Sequence, residues 1–192
     1  YFVDKDETKI KWDEALFKYA QKGKELQFEP KTIVDAIYRP YFKQHLYFNK
    51  ELNWSRYLMP SFFPKGHDNI AICVNGSAGQ KEFSVSITSH IVDRSSIGAG
   101  QCFPLYWYEE NKNPQATLFD DAETDKYIRR DGITDWILKE VRSRFGGSKA
   151  ITKEHIFYYV YGLLHSRQYR ERFVDDLKKS LPRIPIVDNV QD

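Results

Sequence analysis

The sequence predicts an α+β fold built as a single domain. Three observations carry that expectation. Residues 70–108 hold short apolar or alternating runs separated by glycine turns, the pattern of strands. Residues 126–185 hold apolar side chains at helical spacing behind Thr and Ser caps. Strand runs followed by helix runs point to one α+β unit, and no internal repeat suggests otherwise. The expected architecture is a mostly antiparallel or mixed twisted sheet, an N-terminal helix and a C-terminal helical subdomain. Residues 1–30 give the helix and a linker, 31–110 the strand-rich part, and 126–185 the helical part.

The elements follow in order. Residues 8–23 read as a helix with Trp12, Leu16, Tyr19 and Ala20 on one stripe and Gly23 at the exit. Pro30 and Pro40 bracket a segment in which Pro40 pushes Arg39 toward extended geometry. Residues 45–48 make a short strand. Residues 70–74 are continuously apolar and suit a central strand. After a turn at 76–79, Phe83, Val85 and Ile87 alternate with Ser84, Ser86 and Thr88, the period of a half-buried strand. A turn at 98–100 leads to a third strand over 102–108, and 111–125 reads as a loop. Thr134 caps a helix with Trp136, Ile137, Val141 and Phe145 on its buried stripe, stopped by Gly146 and Gly147. Thr152 caps the next, with Ile156, Phe157, Val160 and Leu164 on one face. Ser166 caps the last, where Tyr169, Phe173, Leu177 and Leu181 recur every four residues before Pro182.

With 41% apolar and 29% charged side chains, the chain is neither disordered nor membrane-embedded, and no run reaches the span of a bilayer. Its 13 Tyr, 13 Phe and 4 Trp let an aromatic core form. Cys73 and Cys102 lie in apolar runs and read as buried, reduced thiols, which fits the cytoplasm. The chain opens on Tyr1 rather than Met, so we expect a piece of a longer protein. Net charge is only +2, yet residues 142–183 carry +6, residues 39–94 carry +3 and residues 95–141 carry −4. Such a basic face either attracts phosphate or is an ordinary solvated helix surface.

The usual catalytic constellations are missing. Gly98-Ala99-Gly100 precedes a strand rather than a helix, so it builds no phosphate loop. Asn75-Gly76-Ser77-Ala78-Gly79 lacks the spacing of a nucleophile elbow. His45, His67, His90, His155 and His165 are scattered, without metal-ligand spacing. Asp175-Asp176-Leu177-Lys178 sits in an amphipathic helix, and Asn113-Pro114-Gln115 lacks the second proline and aromatic of an amino-methyltransferase motif.

Other segments match a family. Tyr38-Arg39-Pro40-Tyr41 followed by Leu46-Tyr47-Phe48, then Phe103-Pro104-Leu105-Tyr106, then Ile133-Thr134-Asp135-Trp136, occur in order. They are followed by Ile156 to Ser166, by Tyr169-Arg170-Glu171-Arg172-Phe173, and by Leu181-Pro182-Arg183-Ile184-Pro185. This series resembles the C-terminal specificity domain of type ISP restriction-modification enzymes, with Gly132 in place of the usual Asn. The resemblance runs from about Trp12 to Pro185. It implies a non-catalytic fragment that reads duplex DNA. The parent polypeptide would carry an N6-adenine methyltransferase, a helicase-like motor and a nuclease, and use AdoMet, ATP and Mg2+. The other reading is a docking domain that couples methyltransferase to motor with little base contact.

Recognition needs phosphate contacts for position and base-edge contacts for sequence. The segments between strands carry suitable groups in Arg56, Lys65, Asn75, Gln80, Lys81, Arg94 and Gln101. Tyr38, Arg39, Pro40, Phe103, Pro104, Tyr106, Tyr169, Arg170 and Arg183 belong to the family motifs and read as structural. For Arg39, a buried ion pair or stacking competes with a DNA contact. Arg170 and Arg172 either snorkel over the core or pair with Asp175 and Asp176.

Overall fold

The computed structural model describes residues 6, 14–53, 55–75, 82–94, 96, 98, 100–111 and 126–187. Helix α1 (Glu14–Gln21) buries Leu16 and leaves through Gly23; Trp12 lies outside the described residues. The strands are β1 (Ile33–Arg39), β2 (Phe42–Tyr47), β3 (Ala71–Val74), β4 (Val85–Thr88), β5 (Ile91–Val92), β6 (Gln101–Pro104), β7 (Tyr106–Glu110) and β8 (Tyr127–Asp131). A short helix, α2 (Met59–Phe62), stands before β3. Helices α3 (Asp135–Arg144), α4 (Lys153–His165), α5 (Arg167–Arg172) and α6 (Val174–Leu177) follow β8.

The fold is α+β, but the strands form three small sheets rather than one: β2-β1-β5, β4-β3-β6 and β7-β8. One strand expectation is corrected here, and one unassigned segment is filled. The strand read at 102–108 is two strands, because the chain turns at Leu105 and sends β6 and β7 into different sheets. The segment between Pro30 and Pro40 is β1, which pairs antiparallel with β2 and parallel with β5.

Strand β3 behaves as its composition requires. All four of its residues are buried, with β4 and β6 antiparallel on either side. Strand alternation sends Ile72 and Val74 to one face, where they join Leu105, Phe157, Leu164, Tyr169 and Leu177 in the core. The opposite face carries Ala71 and Cys73. The Sγ of Cys73 lies 2.9 Å from that of Cys102 across the β3–β6 pair, and both cysteines are free. Contact with Cys102, then burial, raises the Cys73 pKa, so the group stays a thiol at neutral pH. In β4, Val85 packs on the core as the alternation predicts.

The helix caps are as read. The Thr134 side chain accepts from the Ile137 N–H, and Thr152 and His155 form a reciprocal capping box. Gly146 and Gly147 end α3 in the left-handed region. Trp136 is a correction: it is 72% exposed and does not line the buried stripe of α3. The last helix also differs, because it breaks at Phe173 into α5 and α6 and leaves Leu181 outside, exposed. Tyr169, Phe173 and Leu177 still reach the core despite the break. The part read as helical opens with strand β8.

Polar groups tie the layers together. The Asn69 side-chain amide donates to the carbonyls of Phe62 (2.7 Å) and Tyr106 (2.6 Å), while its Oδ1 accepts from the Tyr106 N–H at 3.1 Å. Gly132 donates its N–H to Leu105 O at 2.7 Å, and a Cβ at Gly132 would strike the Pro104 carbonyl oxygen.

The Tyr106 hydroxyl donates to Glu154 Oε1 at 2.7 Å, joining β7 to α4. That bond foremost, with backbone N–H and Thr152 bonds, holds the Glu154 carboxyl down at about 2, against an ordinary 4.5. The folded value lies below the unfolded one. Its stabilisation is therefore complete above about 4.5 and is lost as pH falls toward about 2. Urea melts across that window should show Glu154→Gln with a flatter acid limb than wild type, and the two converging at the acid end.

Candidate nucleic-acid interface

The loop candidates separate into two places. At one end of the β4-β3-β6 sheet, Gln101 opens β6 directly opposite Val74, and Asn75 follows Val74. The approach is close: a Cβ at Gly100 would collide with the Val74 carbonyl oxygen and come within 2.8 Å of the Asn75 Cα. Glycine is the only residue that lets these two loop roots meet. Gln101 is exposed there.

Asn75 is committed to its own loop. Its Nδ2 donates to Glu82 O at 2.8 Å, and its Oδ1 accepts from the Ser84 N–H at 2.9 Å. It therefore closes the base of the loop rather than offering its amide edge to a ligand. Gln80 and Lys81, in the same loop, lie outside the described residues.

Arg94 is exposed just past β5, which runs beside β1. The Asp93 N–H donates to Ile37 O at 2.9 Å, so the Arg94 backbone is anchored beside the end of β1. There β1 and β2 join through Pro40 and Tyr41, with Arg39 opposite Phe42. Tyr41 has φ 64 and is fully exposed. A cavity of about 360 Å³ lies beneath this hairpin tip, lined by Pro40, Tyr41, Lys43, Ser86, Thr88 and Ser96 among others. Ser84 also lines it, which connects the cavity to the Asn75 loop.

Arg56 and Lys65 stand elsewhere. The Arg56 guanidinium lies 5.4 Å from the Phe48 ring centroid, past the end of β2, and Lys65 Nζ is 3.5 Å from Lys31 O, before the start of β1. Seven residues of β1 separate that end from the hairpin tip, roughly 20 Å at strand rise.

Several motif residues make contacts within the domain. The Tyr169 hydroxyl donates to Arg183 O at 2.8 Å, and Arg170 Nε donates to Leu164 O at 2.7 Å while its guanidinium faces Phe83. Arg172 lies over Phe173. Both arginines thus follow the snorkelling alternative, and Asp175 pairs with Lys178 instead. Phe103 and Pro104 line an apolar cavity of about 680 Å³ with Leu58, Trp107, Leu181 and others. Arg39 is exposed and lies over Tyr38 at 4.9 Å, so stacking, not a buried ion pair, is its arrangement.

The basic helices offer less free charge than their composition suggests. Arg142 bonds Ile151 O, Lys153 bridges Asp131 and Asp135, and Arg144 and Arg167 pair with Glu140 and Glu171. By contrast, among the described residues Arg39, Lys43 and Arg94 make no ion pair. Of the residues at this end, the sequence proposed Arg94 as a DNA contact; Lys43 and Tyr41, which share the hairpin tip, were not among its candidates. The available signal was a Pro-aromatic pair flanked by cations, which is what a hairpin tip between two exposed strands leaves in a sequence.

Loops held together at their roots, with cations around them that make no ion pair among the described residues, suit a recognition module on a packed scaffold. The chain belongs to the Type ISP C-terminal specificity domain family, which matches residues 1–192. Solved structures similar to it include the following three. A DrdV–DNA complex matches with TM-score 0.80 and 35% identity, over 93% of this chain and 16% of that one. The ATP-dependent Type ISP restriction-modification enzyme LlaBIII bound to DNA matches with TM-score 0.77 and 27% identity, over 95% and 11%. A nuclease-deletion mutant of the Type ISP restriction-modification enzyme LlaGI, in complex with a DNA substrate mimic, gives 0.70 and 33%, over 95% and 14%. The chain spans about a sixth or less of the length of these solved chains. No curated protein matches it significantly. No helix among the described residues is long and apolar enough to cross a membrane.

The close contact at Gly100 gives a direct check. Gly100→Ala should lower stability by about 1–3 kcal/mol in denaturant melts, because backbone rather than a movable side chain must yield. Amide shifts should change most at Asn75 and Gln101. Unchanged melts would mean that the two loop roots do not meet.

Proposed function

We propose that this chain reads a specific sequence of duplex DNA as the target-recognition part of a restriction-modification enzyme. In this reading it orients the site for an N6-adenine methyltransferase and a linked ATP-dependent nuclease elsewhere in the parent polypeptide, in the cytoplasm. Those parts draw on AdoMet, ATP and Mg2+; this segment contributes contacts, not chemistry. The carrying observation is the fold match to Type ISP enzymes bound to DNA over nearly the whole of this chain. The unpaired cations at the hairpin tip and after β5 agree with it. Arg94 and Gln101, together with Gln80 and Lys81 between Asn75 and β4 in the sequence, are the preferred readers of phosphate and base edges. Asn75 acts by shaping its loop, and Arg56 and Lys65 contribute from the far end of the hairpin.

One observation favours the docking reading as a second function. Leu58, Phe103 and Leu181 are exposed around the apolar cavity, a surface better suited to protein than to phosphate.

Duplex binding should weaken steeply between ~50 and ~200 mM salt, and Arg94→Ala should reduce the slope of log K against log salt by about one. A flat salt response would favour docking. Exchanging this segment between two parent enzymes should move the methylated sequence with it. Methylation sites that stay with the recipient would remove specificity from its role.

A further inference from the structure

Two residues other than glycine hold a positive φ among the described residues, Tyr41 at 64 and Tyr57 at 48. Tyr41 follows Pro40 in the turn between Arg39 and its partner Phe42. Proline first and positive φ second is the pattern of a type II turn, which favours Gly or Asn in the second place. A tyrosine there costs on the order of 1–3 kcal/mol. Its ring recovers nothing by burial, since Tyr41 is fully exposed. The sequence therefore keeps a large aromatic at a strained tip and turns it to solvent.

Its surroundings are cationic. Arg39 and Lys43 flank it on the two strands, and Arg94 leaves the neighbouring strand β5 at the same end. None of the three is in an ion pair among the described residues; Asp93 is the acid nearby in sequence. Tyr57 has a different setting: Arg56 beside it is turned onto Phe48, and Leu58 after it lines the apolar cavity.

We propose that Tyr41 is the duplex-contacting tip of the β1–β2 hairpin. Its ring wedges into a groove and partly unstacks a base step while Arg39, Lys43 and Arg94 take the phosphates on either side. This rests on the duplex-recognition reading above and adds a contact that the loop candidates do not include. An aromatic ring fits this place because a wedge opened between base pairs is covered by stacking on either neighbour, whatever the sequence, whereas a protein partner would leave three cations in want of acids.

The test compares wild type, Tyr41→Ala, Tyr41→Gly, Tyr41→Phe and Lys43→Ala on short random-sequence duplexes at low salt. The Ala and Gly variants should bind ~10-fold more weakly with the salt slope unchanged, the Phe variant like wild type. Lys43→Ala should lower the slope by about one. Tyr41→Gly should also melt higher than wild type, because the backbone strain is relieved, so lost binding cannot be ascribed to misfolding. Wild-type strength in the Ala and Gly variants overturns the proposal while leaving duplex recognition standing. A loss in Tyr41→Phe equal to that in Tyr41→Ala overturns the ring contact in favour of the hydroxyl. No duplex binding by wild type sinks both readings together.

Discussion

Burial of β3 on both faces is the constraint from which the rest of the molecule follows. Ile72 and Val74 anchor the core with Phe157, Leu164 and Tyr169, and Ala71 and Cys73 fill the other side. A strand with no polar face cannot sit at an edge, so it must be flanked, and β4 and β6 flank it. Their connections then leave from the same end. Gln101 and Asn75 are thus held at the end of the most deeply buried strand in the fold. Precise presentation of adaptable groups is what a sequence-reading surface needs.

The charge distribution separates surface chemistry from net composition. The helical region is strongly basic on paper, yet its arginines and lysines mostly pair within a turn or bond carbonyls at helix ends. A cation already answered by a neighbour contributes little to attracting phosphate. The hairpin tip carries fewer cations, but among the described residues none of them is in an ion pair. Position, not count, decides which basic residues face a polyanion.

Much of the fold was legible because its strongest signals are local. The apolar run of β3, the caps Thr134 and Thr152 and the glycine stop after α3 depend on a few adjacent residues. The misses have non-local causes. β1 reads poorly because its burial is irregular, with Ala36 buried and Ile33 and Tyr38 exposed, so neither period stands out. The turn at Leu105 has no glycine or proline at its centre; it is set by β7 bonding to β8 rather than to β3. Trp136 appeared to belong to a buried stripe, but the adjacent helices do not cover that face. At the site, Arg94 was legible from its place between strands. The internal commitment of Asn75 was not, because an amide's partners cannot be read from its neighbours in sequence.

The parallel pairing of β5 with β1 has a kinetic side. Val92 meets Ile37 only after β2, α2, β3 and β4 have been traversed, so that register closes a long loop. Antiparallel β1–β2 forms locally and early, while its third strand arrives late. Until Ile91 and Val92 arrive, the β1 edge of the first hairpin is open, and their pairing closes it against another copy.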